Sequence, residues 1–136
     1  MQQGDLYVAE TTKSPADFAR DFERVAGKYG FIINNAETMD MGKTFRAHGA
    51  EAGPDFDLHM IQICKPEKAA QSLAANPERA LLMPKFVMAF SKGNTTQLRF
   101  LRYSGDNIRA VVDDEQFPAS LTETYKKIIE MIEEAR

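Results

Sequence analysis

Cys64 is the only cysteine of the 136-residue chain, and its setting is the clearest indication of chemistry in the sequence. It ends an apolar run, 58–64, and Pro66 two residues later predicts the start of a helix. A thiol near a helix N-terminus meets unpaired N–H groups and a favourable dipole, which promote the thiolate. The sequence therefore offers Cys64 as a reactive or ligand-contacting thiol. The competing interpretation is that it only packs beside Leu58 and Met60, as buried free cysteines commonly do.

A Cys–His dyad would give this thiol a base, but strand alternation argues against the nearest candidate. His59 shares a strand face with Ile61 and Ile63, so it points away from Cys64. His48 is the other imidazole, and its position cannot be derived from the pattern. The sequence thus predicts no catalytic group, with Cys64 as its single candidate.

Asp55, Asp57 and His59 recur at every second position, as ligands on one face of a strand would. Carboxylate and imidazole groups suit a divalent metal. However, Gly53-Pro54 directly before them predicts a turn, and a solvated strand entrance explains the same pattern. The sequence predicts no metal site, and these three residues are its only metal candidates.

Two amphipathic helices are the most clearly marked elements. In the first, 15–29, Ser14 can cap and Pro15 occupies the first helical position. In the C-terminal helix, Ser120 and Glu123 match a capping box. A shorter helix begins at the Pro66 position, and strands are predicted at 6–11, 31–33, 58–64, 86–90, 97–103 and 108–112. This order, β-α-β-β-α-β-β-β-α, predicts one α+β domain over 1–136, with a mostly antiparallel sheet and helices on one face.

Two of these strands, 58–64 and 86–90, are apolar on both faces. Strands of that kind are usually buried on both sides, and the helices cover only one side. Either the segment 39–57 or a second copy of the chain must cover the other side. Two-fold dimers are the commonest oligomers, so we expect a homodimer.

The segment 39–57 is punctuated by three glycines and a proline, with a short strand at 44–48 as one option. We expect a mobile, ligand-facing loop, and a plain connecting hairpin is the alternative. A pocket between this loop and the sheet would bind a small molecule. Its candidate ligand-binding residues are Cys64, Met60, His48 and Met88.

Composition excludes several classes of protein. Apolar residues make up 43% and charged residues 27% of a chain with net charge −3. Without a basic run we expect no nucleic-acid partner, and without an apolar stretch of ~20 residues no membrane partner. One cysteine excludes an internal disulfide and a thiolate zinc cage. The N-terminus does not match a signal peptide, so the expected location is cytoplasmic. No motif identifies a cofactor, and the acidic run 113–115 is expected to be a solvated turn.

The order of short motifs resembles one known family, called domain of unknown function 302. The motifs are an apolar strand ending in Cys64, Lys65-Pro66 at the entry to an Ala-rich helix, and Leu81-Leu82-Met83-Pro84 before the next strand. Ser14-Pro15 and Gly30-Phe31 around the first helix are similar too. The resemblance covers roughly 5–112 and implies a compact α+β fold, often dimeric, with no established activity. The chain departs from the family pattern at Lys65, where asparagine is frequent, and at Lys85-Phe86.

These observations favour a non-enzymatic domain that binds a small apolar or amphipathic ligand, or a protein partner, as a homodimer. The alternative is a thiol-dependent redox or transferase activity centred on Cys64. A purely structural dimer module is the third interpretation.

Overall fold

Five antiparallel strands form one sheet in the computed structural model, which describes residues 4–136. The strands are β1 (Gly4–Thr11), β2 (Ile32–Ile33), β3 (Leu58–Cys64), β4 (Phe86–Lys92) and β5 (Thr95–Tyr103). Their order across the sheet is β1-β5-β4-β3-β2. The two strands with apolar residues on both faces, β3 and β4, are direct neighbours, with Ile61 opposite Val87.

Helices connect and flank the strands. They are α1 (Pro15–Lys28), α2 (Met41–Ala47), α3 (Pro66–Ala75), a 3₁₀ helix (Pro77–Leu82), α4 (Gly105–Val111) and α5 (Phe117–Ala135). Helix α1 begins as predicted, with the Ser14 hydroxyl accepting from the Asp17 N–H at 3.1 Å. Gly30 just beyond its end has a φ of 79°, the left-handed conformation that glycine adopts without strain. Among the helices within residues 4–136, none is both long and apolar enough to cross a bilayer.

The core lies between one face of the sheet and the two long helices. That face carries Ile61, Ile63, Val87, Ala89, Leu98 and Phe100, all of them buried. Helix α1 contributes Phe18 and Phe22, and the Phe100 ring meets Tyr125 of α5 edge-on at 5.8 Å. The predicted α+β class, with a mostly antiparallel sheet, is confirmed.

The opposite face of the sheet is more accessible to solvent, and we call it the open face. Strand alternation places Glu10, Gln62 and Gln97 there, together with apolar residues and an arginine: Leu6, Val8, Leu58, Met60, Phe86, Met88, Phe90, Arg99 and Leu101. Leu6, Val8 and Leu101 are each more than half exposed, at 53%, 55% and 52%. On β3 and β4, which are apolar on both faces, one face is buried in the core and the other is half-buried, as at Met60, Met88 and Phe90.

Two predicted strands are helices instead. Residues 108–112 belong mostly to α4, whose N-cap Ser104 accepts from the Asn107 N–H at 3.1 Å. Ile108 and Val112 are both buried, and their i, i+4 spacing matches a helix. Residues 44–48 lie in or next to α2, capped by Asp40.

The predicted capping box at Ser120 is also wrong, because α5 begins three residues earlier at Phe117. Asp114 provides the cap: its carboxylate accepts from the N–H groups of Gln116 and Phe117 at 3.0 and 2.9 Å. The acidic run 113–115 is therefore not a simple solvated turn. Its central residue is 7% exposed.

Asp114 also binds Arg79 through both carboxylate oxygens, at 2.7 and 3.1 Å. The Asn76 side-chain amide donates to the same carboxylate at 2.9 Å. The Arg79 guanidinium, followed by this amide, holds the pKa of Asp114 well below its usual range. This pair fastens the 3₁₀ helix to the first turn of α5, a bidentate geometry that fixes orientation as well as distance.

Candidate functional site

A small cavity of about 60 Å³ lies where the end of β3, helix α3 and the first turns of α5 meet. Since one water occupies ~10–15 Å³ on such a scale, the cavity has room for a few waters or a small organic group. Its apolar wall consists of Phe31, Ile63, Met83, Phe117 and Leu121. Its polar residues are Cys64, Lys65, Lys68, Lys85, Ser72, Ser120 and Thr124. We call it the lysine cavity.

Local structure explains why these lysines converge. Pro66 starts α3, so Lys65 is its N-cap residue and Lys68 lies in its first turn. Lys85 directly precedes β4, and its carbonyl accepts from the Ile63 N–H at 3.0 Å. The pairing of β3 with β4 therefore brings Lys85 beside the end of the strand that leads into α3.

Lys85 is the most enclosed of the three amines. It is half-buried, and its Nζ donates to the Met83 carbonyl at 3.0 Å. Burial lowers the pKa of Lys85 to about 8, because the charged form loses hydration. A thiolate at Cys64 would act in the opposite direction, and the charge of Lys68 lowers the pKa further.

The other two lysines bind neutral partners. Lys68 Nζ donates to the Thr124 hydroxyl at 2.8 Å, and burial followed by the charge of Lys65 lowers the pKa of Lys68. Lys65 Nζ lies over the Phe31 ring, 5.4 Å from its centroid. Within residues 4–136, no carboxylate forms an ion pair with any of the three. The charge of Glu123 raises the pKa of Lys68 against these effects, without forming an ion pair with it. The cavity thus combines three lysines that lie outside any described ion pair with an apolar wall.

The four ligand-binding candidates from the sequence do not form one site. Cys64 lines the lysine cavity. Met60 and Met88 lie opposite each other on the open face, in a wide groove of about 660 Å³ that also includes Phe56. His48 is exposed at the end of α2 and lines neither. The groove does lie between the sheet and the end of segment 39–57, where the sequence placed a pocket.

The metal candidates are partly dispersed. His59 is 5% exposed on the covered face, and its Nδ1 lies 3.6 Å from an Asp57 oxygen. Asp55 is exposed. In the portion of the chain that the structure describes, no three His, Cys, Asp or Glu side chains are grouped to hold a metal ion. His59 lies at a buried position of β3 and Cys64 at a half-buried one, so the two side chains belong to opposite faces of the strand. This agrees with the argument against a Cys–His dyad.

Sequence reasoning missed Lys85 as a site residue. The available signal for Lys85 was its position between Pro84 and an apolar strand, a place where a charge is costly. That signal alone could not reveal a second lysine from α3 at the same cavity.

Comparisons with known proteins address the fold and the family. The family described as Domain of unknown function DUF302 matches residues 7–135. A similar solved structure is the crystal structure of uncharacterized conserved protein DUF302 from Bacillus stearothermophilus, with a TM-score of 0.77. It shares 13% identity and covers 96% of this chain and 98% of its own, so the likeness concerns the fold. No curated protein matches the sequence.

The lowered pKa of Lys85 predicts a stability cost that depends on pH. The folded pKa of about 8 lies below the unfolded value of 10.5, so between these values the unfolded chain binds more protons. The cost is complete below about pH 8 and disappears as the pH rises through 10.5. At ~1.4 kcal/mol for each pKa unit, and allowing for partial exposure, it amounts to ~2–3 kcal/mol.

We therefore expect Lys85→Met to raise the free energy of unfolding at pH 7, with the gain shrinking toward pH 10. Urea unfolding of both proteins at the two pH values measures it. Lys92→Met, at the exposed lysine that ends β4, is the control, and its free energy of unfolding should change little at either pH. A destabilised Lys85→Met protein at pH 7 would contradict the assignment of an uncompensated charge.

Proposed function

The chain belongs to the DUF302 family of domains of unknown function, and we propose that it binds a small amphipathic molecule with an anionic group, without catalysing a reaction. The observation that carries the proposal is the lysine cavity, which three lysines line, none of them in an ion pair with a carboxylate among the described residues. Partly buried charges without a counter-ion are costly to the folded state. An anionic ligand would offset that cost.

The shape of the cavity supports an amphipathic ligand over a free inorganic anion. Phe31, Phe117 and Leu121 form a wall that would contact carbon atoms, while Lys68 and Lys85 approach from the polar side. Ligand sites typically combine a mostly apolar lining with a few placed polar groups. The small volume favours a short chain over a long lipid tail.

We expect a short carboxylate such as pentanoate to bind here, and Lys68→Met to weaken its affinity about tenfold. The loss corresponds to ~1.4 kcal/mol, a modest value for one charge-assisted hydrogen bond. Titration followed by two-dimensional NMR gives both the affinity and the location. Lys92→Met should bind as the unchanged protein does. Shifts that avoid residues 64–72 and 117–124, or equal affinity in Lys68→Met, would rule out this site.

The homodimer predicted from the sequence is part of the same proposal, with the open face as its interface. Leu6, Val8 and Leu101 form an exposed apolar patch, since Leu6 pairs with Leu101 in the sheet. Glu10 and Gln97, joined at 3.0 Å, lie at its polar rim. An apolar centre with a polar rim is typical of protein interfaces, and a two-fold axis needs one self-complementary patch.

Leu101→Glu is expected to shift the protein from dimer to monomer, because a charge would be buried at the centre of the interface. Analytical ultracentrifugation at micromolar concentration measures the change. Val111→Glu, at an exposed apolar residue of α4, is the matched control and should remain a dimer. A monomeric unchanged protein at this concentration would refute the dimer.

A second candidate function is the thiol-dependent activity. It is favoured by one observation: Cys64 lines the same cavity as Lys65, Lys68 and Lys85, whose charges would stabilise a thiolate. One cysteine per chain suits a reducing compartment, and the cytoplasmic location stays a prediction.

The rate of Cys64 alkylation by iodoacetamide, measured from pH 5 to pH 10, separates the two functions. A reactive thiol alkylates fast near neutral pH, because the thiolate is the nucleophile. If alkylation accelerates only above pH 8 to 9, as for an ordinary thiol, the thiol activity is refuted. Cys64→Ser should then still bind pentanoate, since the binding proposal does not need sulfur.

A further inference from the structure

We propose that Lys85 forms a reversible imine with the carbonyl group of a short oxo acid held in the lysine cavity. This inference rests on the proposed function and deepens it by naming the class of ligand. A carboxylate would bind one lysine of the cavity, while a carbonyl group a few bonds away would meet another.

The surroundings of Lys85 suit an amine nucleophile. Lys85 lines the cavity together with Ile63 and Met83, and its Nζ donates to the Met83 carbonyl at 3.0 Å without an ion-pair partner among residues 4–136. Because no carboxylate fixes its charge, little is lost when it becomes neutral. An amine attacks a carbonyl carbon only when it is neutral.

Electrostatics supports the same role. With a pKa of about 8, roughly one Lys85 side chain in ten is neutral at pH 7, against a very small fraction for an ordinary lysine. Burial is the main cause, and the charge of Lys68 adds to it. Desolvation together with a neighbouring cation is a known way of activating an amine for imine formation.

Lys68 is the residue suited to the carboxylate. Its Nζ already binds a hydroxyl oxygen, that of Thr124, and retains two further N–H donors. It lines the same cavity as Lys85 from a different element, so one small molecule can touch both. Lys65 is less suited to the covalent step, because its ammonium group lies over the Phe31 ring.

The reaction is balanced without any oxidant or reductant. The Lys85 nitrogen attacks the carbonyl carbon, so that a C–N bond forms, the C=O double bond becomes a single bond, and the oxygen takes up one proton from the nitrogen. The C–O bond of this carbinolamine then breaks, and the oxygen leaves as water with the second proton from the nitrogen. The products are one imine and one water molecule, and the hydroxyl groups of Ser120 and Thr124 line the cavity where the carbinolamine would form.

The test uses 4-oxopentanoate and pentanoate, which differ by one carbonyl group. The full chain is incubated with 4-oxopentanoate and sodium borohydride, which reduces an imine to a stable secondary amine. We expect one adduct per chain, with the mass of the oxo acid less one oxygen atom, and peptide mapping should place it on Lys85. Pentanoate should give no adduct.

Lys85→Arg is the decisive variant, because it keeps the positive charge and removes the primary amine. We expect it to lose at least nine-tenths of the adduct, while Lys92→Met, outside the cavity, forms the adduct normally. Circular dichroism checks that the variant is folded. If it is not, peptide mapping of the unchanged protein still decides the site.

The outcomes separate the two proposals. Pentanoate binding in the cavity, combined with no adduct on Lys85 of the unchanged protein, overturns the imine and leaves the binding function standing. Adducts spread over exposed lysines, at equal yield in Lys85→Arg, overturn it as well. Absence of both binding and adduct overturns both proposals.

Discussion

The pairing of β3 with β4 is the constraint on which the rest of the structure depends. In this register Ile61 and Ile63 face the helices together with Val87 and Ala89. A slip by one residue would turn that apolar set outward, so burial of one face fixes the register. The same register holds Lys85 beside Ile63, at the point where the chain turns into α3. The register that aligns the core therefore also positions the candidate site.

The open face follows from this constraint as well. Both strands are apolar on both sides, yet only one side belongs to the buried core that α1 and α5 complete. Met60, Met88 and Phe90 are half-buried by neighbouring side chains, and Leu101 is left in contact with solvent. An exposed apolar patch of this kind is typical of an interaction surface, and this is the basis of the dimer that we propose.

Much of the fold could be predicted from the sequence, because the relevant signals are local. The Ser14 cap and the alternation along 58–64 each depend on a few adjacent residues, and both are confirmed. The errors arise where local signals conflict. Gly105-Asp106 suits a turn equally well as a first helical turn, and only the burial of Ile108 decides for a helix. The start of α5 depends on Asp114, whose orientation is fixed by Arg79, far away in sequence.

The candidate site could be predicted from the sequence only in part, for the same reason. Cys64 stands out because it is the only cysteine of the chain and Pro66 follows two residues later. Lys68 and Lys85 belong to a common residue type, and their meaning comes from the pairing that brings them together. Met60 and Met88, which the sequence grouped with Cys64 and His48 in one pocket, lie opposite each other on the open face and not in the cavity beside Cys64.

The link between Arg79 and Asp114 has a bearing on recognition. It joins the 3₁₀ helix that continues from α3 to the opening turn of α5, and residues of α3 and α5 line the lysine cavity. The contact thus holds the end of the α3 segment against α5 from outside the cavity, since neither Arg79 nor Asp114 lines it. For the ligand that we propose, such bracing would reduce the conformational freedom lost on association.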